Sequence, residues 1–304
     1  MIATALWKPW YVYQPRQILR RVFALGDTPS AEYQLLRTAW GIEMLACPAE
    51  HLGRCLWTTG VYDLAVSELM FRLVRPGDVV VDAGANIGYM TLLAAVAAGP
   101  RGRVIAFEPN PQLFPILRQN VEATRRRFAM ASVELRETAL GAHRHRSPLV
   151  LPDPSEGNNG LSYIPAEPVS RDRLETVSVE VETLDAVLAG RTVALAKIDV
   201  EGYERQLFEG CAGALGSHRI RHVVFEDHQG IDSAAATFLA DAGYTLFSIG
   251  WSMRRPLLIE ARRGQSSNHF YEAPSYLATI DPAGAVNACH PSGWRALRRQ
   301  IQWP

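Results

Sequence analysis

The chain has 304 residues, 48% of them hydrophobic and 20% charged, enough for one large domain or two small ones around a sizeable core. Its 31 basic and 31 acidic side chains give a formal net charge of zero, which argues against bulk attraction to nucleic acid or an acidic membrane. No stretch approaches the roughly 18 apolar residues of a membrane span, and Lys8, Pro9 and Pro15 interrupt the N-terminus before a signal-peptide core can form.

Residues 1–59 read as an arm and an elaboration on the substrate or oligomer side. The arm mixes Trp7, Trp10, Tyr11 and Tyr13 with Arg16, Arg20 and Arg21, a composition that can rest on a membrane surface. The overall neutrality favours instead an arm packed on its own domain or on a second copy of the chain. A helix is expected near Ala31–Thr38, with extended pieces at Ile42–Ala46 and Cys55–Thr59. From Val61 to Leu73 apolar residues recur at helical spacing, and Pro76-Gly77 stops that helix.

A regular alternation follows over residues 60–250. Strands are expected at Val79–Val81, Arg103–Phe107, Val133–Glu137, Val193–Ile198, Arg221–Phe225 and Thr245–Ile249, with Val177–Val181 extended between the third and fourth. Helices are expected at Tyr89–Ala98, Gln112–Arg127, Leu184–Leu188, Glu204–Phe208 and Ala234–Ala242. Residues 251–304 hold a last strand at Tyr276–Ile280, an inserted segment and a tail with a basic helix at Trp294–Trp303. Short apolar strands joined by helices imply a doubly wound, largely parallel α/β sheet buried on both faces. The cysteines Cys47, Cys55, Cys211 and Cys289 show neither CxxC nor metal-ligand spacing, so free thiols in a reducing cytoplasm are expected.

In such a sheet ligands sit beyond the carboxyl ends of the strands. After the first strand comes DAGANIG, Asp82 to Gly88, where glycine lets the backbone approach a ligand and the next helix begins with free N–H groups. After the second comes Glu108, 20 residues past Gly88, placed to accept from both hydroxyls of a ribose. A nucleotide P-loop would need GK[ST], which is absent, and a dinucleotide turn would need glycine where Asn86 stands. Asp82 suits a cofactor with a cationic amino group, as in S-adenosylmethionine. Asp82 and Glu108 are expected side by side in one cavity, holding the amino-acid tail and the sugar.

The segments DAGANIGYMTLLAA, GRVIAFEPNPQLFPILRQN, KIDVEGYERQLFEG and VVFEDH together resemble the FkbM-type family of S-adenosylmethionine-dependent methyltransferases. The resemblance runs from about Gly60 to Ile249 and includes ETALG, NNGLSYI and VETLDAVL. It implies a class I methyltransferase (Rossmann-like) seven-stranded sheet of order 3-2-1-4-5-7-6, the seventh strand antiparallel. It also implies methyl transfer, usually to oxygen, on small molecules such as polyketides or sugars. By the same resemblance Asp82, Gly84, Asn86, Gly88 and Glu108 contact the cofactor, and ETALG offers Thr138 or Glu137 toward the adenine.

The fourth strand ends in Lys197-Ile-Asp199-Val-Glu201-Gly202 and the fifth in Glu226-Asp227-His228. Alternate strand residues share a face, so Lys197, Asp199 and Glu201 are expected to point together. Adjacent strands bring these ends beside the reacting group. An alcohol acceptor must lose a proton, for which His228 or Asp199 can serve as general base. The alternative is Mg²⁺ held by Asp199, Glu226 and Asp227. The resemblance favours the base, since Glu201 and His228 belong to its pattern. Acceptor recognition is assigned to residues 1–60, to Ala142–Thr176, and to Trp251–Ser275, whose Arg254, Arg255, Arg262, Arg263 and His269 could meet an anion. A nicotinamide oxidoreductase and an idle adenosine-binding module remain the other function classes.

Overall fold

The structure, a computed structural model, describes residues 29–152, 161–165, 175–261 and 275–299, together with the isolated Pro9. The aromatic and basic residues of the N-terminal arm, the first three residues of NNGLSYI, Arg262, Arg263, His269 and the end of the tail lie outside them.

The sheet forms where the β-branched and apolar runs were expected. Its strands are β3 (Val79–Ala83), β4 (Arg103–Phe107), β5 (Ser132–Arg136), β9 (Val193–Ile198), β10 (Ile220–Glu226), β11 (Thr245–Trp251), β12 (Pro256–Glu260) and β13 (Ser275–Thr279). They stand in the order β12-β11-β13-β10-β9-β3-β4-β5. The seven expected strands therefore lie as 3-2-1-4-5-7-6, and β13 runs antiparallel to both β10 and β11. Among the described residues the sheet has eight strands rather than seven, because β12 turns back on β11 and pairs antiparallel along its outer edge.

Period-2 alternation sends neighbouring residues to opposite layers. Val80, Val104, Ala106 and Leu195 join one hydrophobic cluster, while Val81, Ile105, Phe107, Ala196 and Ile198 join another. Both faces are covered, so β9 is buried along its whole length. On the first face lie α2 (Leu64–Leu73), α3 (Tyr89–Ala98) and α4 (Phe114–Arg125). The alanine-rich α3 presses close to the sheet, with Leu92, Leu93, Ala94 and Ala95 all solvent-free. On the second face lie α5 (Leu184–Leu188), α6 (Glu204–Glu209), α7 (Ala212–Gly216) and α8 (Ala234–Asp241). Beside the sheet, β6 (Ala139–Leu140), β7 (His145–Val150) and β8 (Thr176–Glu182) make a separate three-stranded sheet in the order β6-β8-β7.

Two early expectations are corrected. Residues 34–37 form a strand, β1 (Gln34–Arg37), instead of a helix, and it pairs antiparallel with β2 (Glu43–Ala46). The helix-favouring sequence there yields to a hairpin that buries Leu36 while Leu35 faces solvent. Conversely, Cys55–Thr59 belongs to a helix, α1 (His51–Thr59), which ends at Gly60 in the left-handed conformation, φ 72°. Its β-favouring threonines fit because each hydroxyl bonds back to a carbonyl one turn earlier, Thr58 to Arg54 and Thr59 to Cys55. Described tail residues 294–299 form turns and bends rather than a helix, and α9 (Pro282–Cys289) precedes them.

Buried polar clasps tie the ends of the chain to the sheet. Glu68 on α2 accepts from Arg72, whose side chain also donates to the carbonyls of Ala288, Pro291 and Gly293. Asn120 on α4 joins three parts of the fold. Its Oδ1 accepts from Leu45 N at 2.6 Å, and its Nδ2 donates to the carbonyls of Leu45 and Ile87. Asn120→Ala would take this partner from the buried carbonyl of Ile87 and from two partly buried groups of Leu45, so urea unfolding is expected to show a loss of about 1–3 kcal/mol.

Candidate functional site

Beyond the carboxyl ends of β3, β4, β9 and β10 opens a cavity of about 690 Å³. Its floor is the turn after β3. Gly84, at φ 77°, and Ala85 both donate their N–H groups to the carbonyl of Phe107, which lays the turn across the end of β4. Asn86 is also left-handed, at φ 51°, a conformation that asparagine tolerates better than most residues. Its N–H donates to Glu108 Oε2 at 2.7 Å, and the N–H of Asn110 donates to Glu108 Oε1 at 2.9 Å. Burial pushes the Glu108 carboxyl up to about 7, against the pull of those two N–H groups.

Gly84, Asn86, Glu108 and Thr138 line this cavity. Asp82 and Gly88 do not. Asp82 is fully buried one layer beneath, because its position in β3 shares a face with Val80 and lies in register with Lys197 on β9. Thr91 donates to Asp82 Oδ2 at 2.6 Å, and Oδ1 lies 3.8 Å from Lys197 Nζ with no hydrogen bond of its own among the described residues. Glu108 and Asp82 are thus neighbours across the turn, yet only Glu108 faces the cavity. Gly88 answers to packing instead: a Cβ there would meet Leu117 Cδ1 at 2.7 Å.

The Thr138 hydroxyl donates to Glu182 at 2.6 Å, which spends its proton but leaves its oxygen facing the cavity. Glu137 is exposed and lies outside the lining. Across from Glu108, Ser162 accepts from Asn110 Nδ2 at 2.7 Å, so the described end of NNGLSYI is drawn over the same space. Phe107, Leu140, Leu149 and Ile164 supply apolar walls.

The other end of the cavity is charged. Lys197 Nζ donates to Asp199 at 3.0 Å and to the carbonyl of Gly84 at 3.3 Å. Burial works to lower the lysine, but Asp199 and Asp82 together hold it above its usual value, so it stays charged. Glu201, left-handed at φ 51°, reaches solvent at the rim, and its carboxyl is pushed up to about 7 by burial and by the charges of Asp199 and Glu226. His228 Nε2 lies 3.0 Å from Glu226 Oε1, with 75% of the imidazole side chain exposed. The strand ends therefore do converge: Lys197, Asp199, Glu201, Glu226 and His228 all line the cavity.

The alternative Mg²⁺ site of Asp199, Glu226 and Asp227 is not assembled. Asp227 is buried outside the lining, and its Oδ1 accepts from the N–H of Gln229 at 2.8 Å. Asp199 is taken by Lys197, and among the described residues no three His, Cys, Asp or Glu side chains gather as a metal group. Arg254 and Arg255 border a separate shallow hollow with His290 and do not reach this cavity.

Sequence reasoning assigns residues 1–60 to the acceptor but misses Tyr62 and Asp63 in the wall opposite Asp199. It is built by α1 and by Tyr62 and Asp63 at the start of α2. Asp63 caps α2, its Oδ1 accepting from Val66 N at 3.1 Å. That cap is legible in the sequence as an acidic residue before an apolar run. Its position facing β9 and β10 is not.

Residues 82–246, more than half of the chain, match the family model of the methyltransferase FkbM domain. The 31-O-demethyl-FK506 methyltransferase FkbM of Streptomyces tacrolimicus is 34% identical over 190 residues, 55% of this chain and 71% of that protein. The hexuronic acid methyltransferase AglP of Haloferax volcanii is 26% identical over 183 residues, and the match spans 57% of this chain and 66% of the relative's length. Among solved structures, methyltransferase FkbM from Methylobacillus flagellatus superposes with a TM-score of 0.43 at 12% identity, covering 67% of this chain and 43% of that one. Matched across both motif-bearing strand ends that build the cavity, the chain belongs to the FkbM methyltransferase family.

Proposed function

We propose that the protein is an S-adenosylmethionine-dependent methyltransferase that methylates a hydroxyl group of a small molecule. The observation that carries this reading is Glu108, a buried carboxylate on the cavity floor at the end of β4, beside the glycine turn. Each of its oxygens takes one backbone N–H, which leaves lone pairs for the two hydroxyls of a ribose. The apolar walls and the Thr138 oxygen suit an adenine ring. When bound, the cofactor supplies a methyl group activated by a positively charged sulfur.

The chain's own contribution is alignment and proton removal. His228 is the better general base, because Glu226 holds its imidazole while Asp199 is already engaged by Lys197. Asp199 and Glu201 are assigned to orient the acceptor. Residues 1–59 and 251–304 are assigned as elaborations of a central 60–250 domain. The free thiols of Cys47, Cys55, Cys211 and Cys289 suit a cytoplasmic setting. Among the described residues no helix is long and apolar enough to cross a membrane. The family relationship gives no support to the oxidoreductase or idle-module readings.

Glu108→Ala is expected to weaken S-adenosylmethionine binding by about 1–3 kcal/mol, roughly 5- to 150-fold, since two hydroxyls would lose their buried acceptor. Titration calorimetry on wild type and variant measures this, and an unchanged affinity would remove Glu108 from the cofactor site.

A further inference from the structure

The acceptor end of the cavity is unusual in its charge. Four carboxylates line it: Asp63 from the start of α2, Asp199 and Glu201 after β9, and Glu226 at the end of β10. Among the described residues, the basic side chains facing them are few and mostly committed. Lys197 is bound to Asp199 and lies near buried Asp82. His228 is paired with Glu226. On α1, Arg54 is exposed and donates to the carbonyl of Ala49, and His51 packs edge-on against Tyr62. No arginine reaches the carboxylates from the 251–255 segment, whose Arg254 and Arg255 border a different hollow.

Tyr62 completes this wall. It lines the cavity, and among the described residues its hydroxyl takes no hydrogen-bond partner. Burial, then the charges of Asp199, Asp63 and Glu226, hold that phenol well above its ordinary value, so it remains a neutral donor. Asp63 itself is raised, first by burial and then by Asp199 across the cavity. These mutual shifts agree with the geometry: the two sides of the wall feel each other. A hydroxyl or ammonium group brings donors to these acceptors. A carboxylate or phosphate would bring its charge against this group of carboxylates, of which Lys197 engages only Asp199 directly, and that is costly at short range.

Resting on the methyltransferase reading above, we infer that this cavity selects a non-anionic acceptor and rejects anionic ones, with Tyr62 and Asp63 contacting the acceptor directly. The hexuronic acid named for the Haloferax relative belongs to the class this wall would exclude. Asp63 is the specificity-determining carboxylate: it lines the cavity from the N-terminal side, its Oδ1 caps α2, and among the described residues its Oδ2 has only a long 3.5 Å contact from the Ser275 hydroxyl.

The test uses the full chain and methyl-labelled S-adenosylmethionine. Metabolites from the producing cells are separated on an anion exchanger into unretained and retained pools, and each pool is offered as acceptor. Label is expected at least ~10-fold more in the unretained pool. Asp63→Asn and Asp63→Ser both keep a side chain able to cap α2. Each should lower that ratio at least ~3-fold while leaving cofactor affinity in place, an effect a purely structural role would not produce. Label mainly in the retained pool, or a ratio unmoved by both variants, overturns the inference. No label in either pool despite cofactor binding overturns the methyltransferase reading and this inference with it, and the Glu108 titration tells the two failures apart.

Discussion

Replacing Lys197 by methionine is expected to destabilise the protein by about 3–5 kcal/mol, the range found when one partner of a buried ion pair is removed. Lys197 is 7% exposed and Asp82 not at all. In the wild type Asp82 already sits at a disadvantage: burial raises its carboxyl, and Lys197 and the Thr91 hydroxyl oppose that rise. Without the ammonium, Asp82 would keep only the Thr91 bond, and the carbonyl of Gly84 would lose its donor. Urea unfolding of Lys197→Met measures the loss. The paired variant Asp82→Asn/Lys197→Met should recover part of it, because a neutral amide tolerates the site better than an unpaired carboxylate. A single-variant loss below ~1 kcal/mol would mean that this pair does not anchor the turn.

Gly84→Ala is expected to cost about 2–6 kcal/mol, combining left-handed strain with overpacking. A Cβ at this position would stand 1.8 Å from the carbonyl oxygen of Asp199 and 2.9 Å from its carbon. Neither atom can move alone, because the N–H of Asp199 is bonded to the carbonyl of Ala83 and the strands pair in register. The variant should therefore push the ends of β3 and β9 apart and displace Asp199 from the cavity wall. Unfolding measurements test the stability term. Wild-type stability in Gly84→Ala would show that the two strand ends are not held at fixed spacing.

The parts of the fold that could be read from sequence are those whose signals are local. VVVDAG, RVIAF and VALAKI each carry a strand and its exit within a few residues, and the helices at Tyr89–Ala98 and Leu184–Leu188 appear with the expected bounds. What failed depended on distant partners. AEYQLLRT favours a helix in isolation, but β2 supplies a pairing edge that overrides it. His51–Thr59 hid behind Gly53 and two threonines, although Gly60 was a readable stop signal. Opening the turn in sequence, Asp82 reads as a cavity residue. The period-2 rule puts it with Val80, against the α2 and α3 layer, and there Lys197 meets it. Tyr62 and Asp63 could not be found at all, because nothing nearby in the chain says which strand ends their helix will face.

The cavity's floor and one of its walls come from different stretches of polypeptide: the floor from turns after β3 and β4, the wall from residues 51–63. Mutational drift in the short upstream stretch can accordingly reshape one partner's fit without disturbing the crossover connections that seat the other. A scaffold so divided is evolvable by grafting, and chimaeras that exchange only residues 51–63 between relatives are its natural laboratory form.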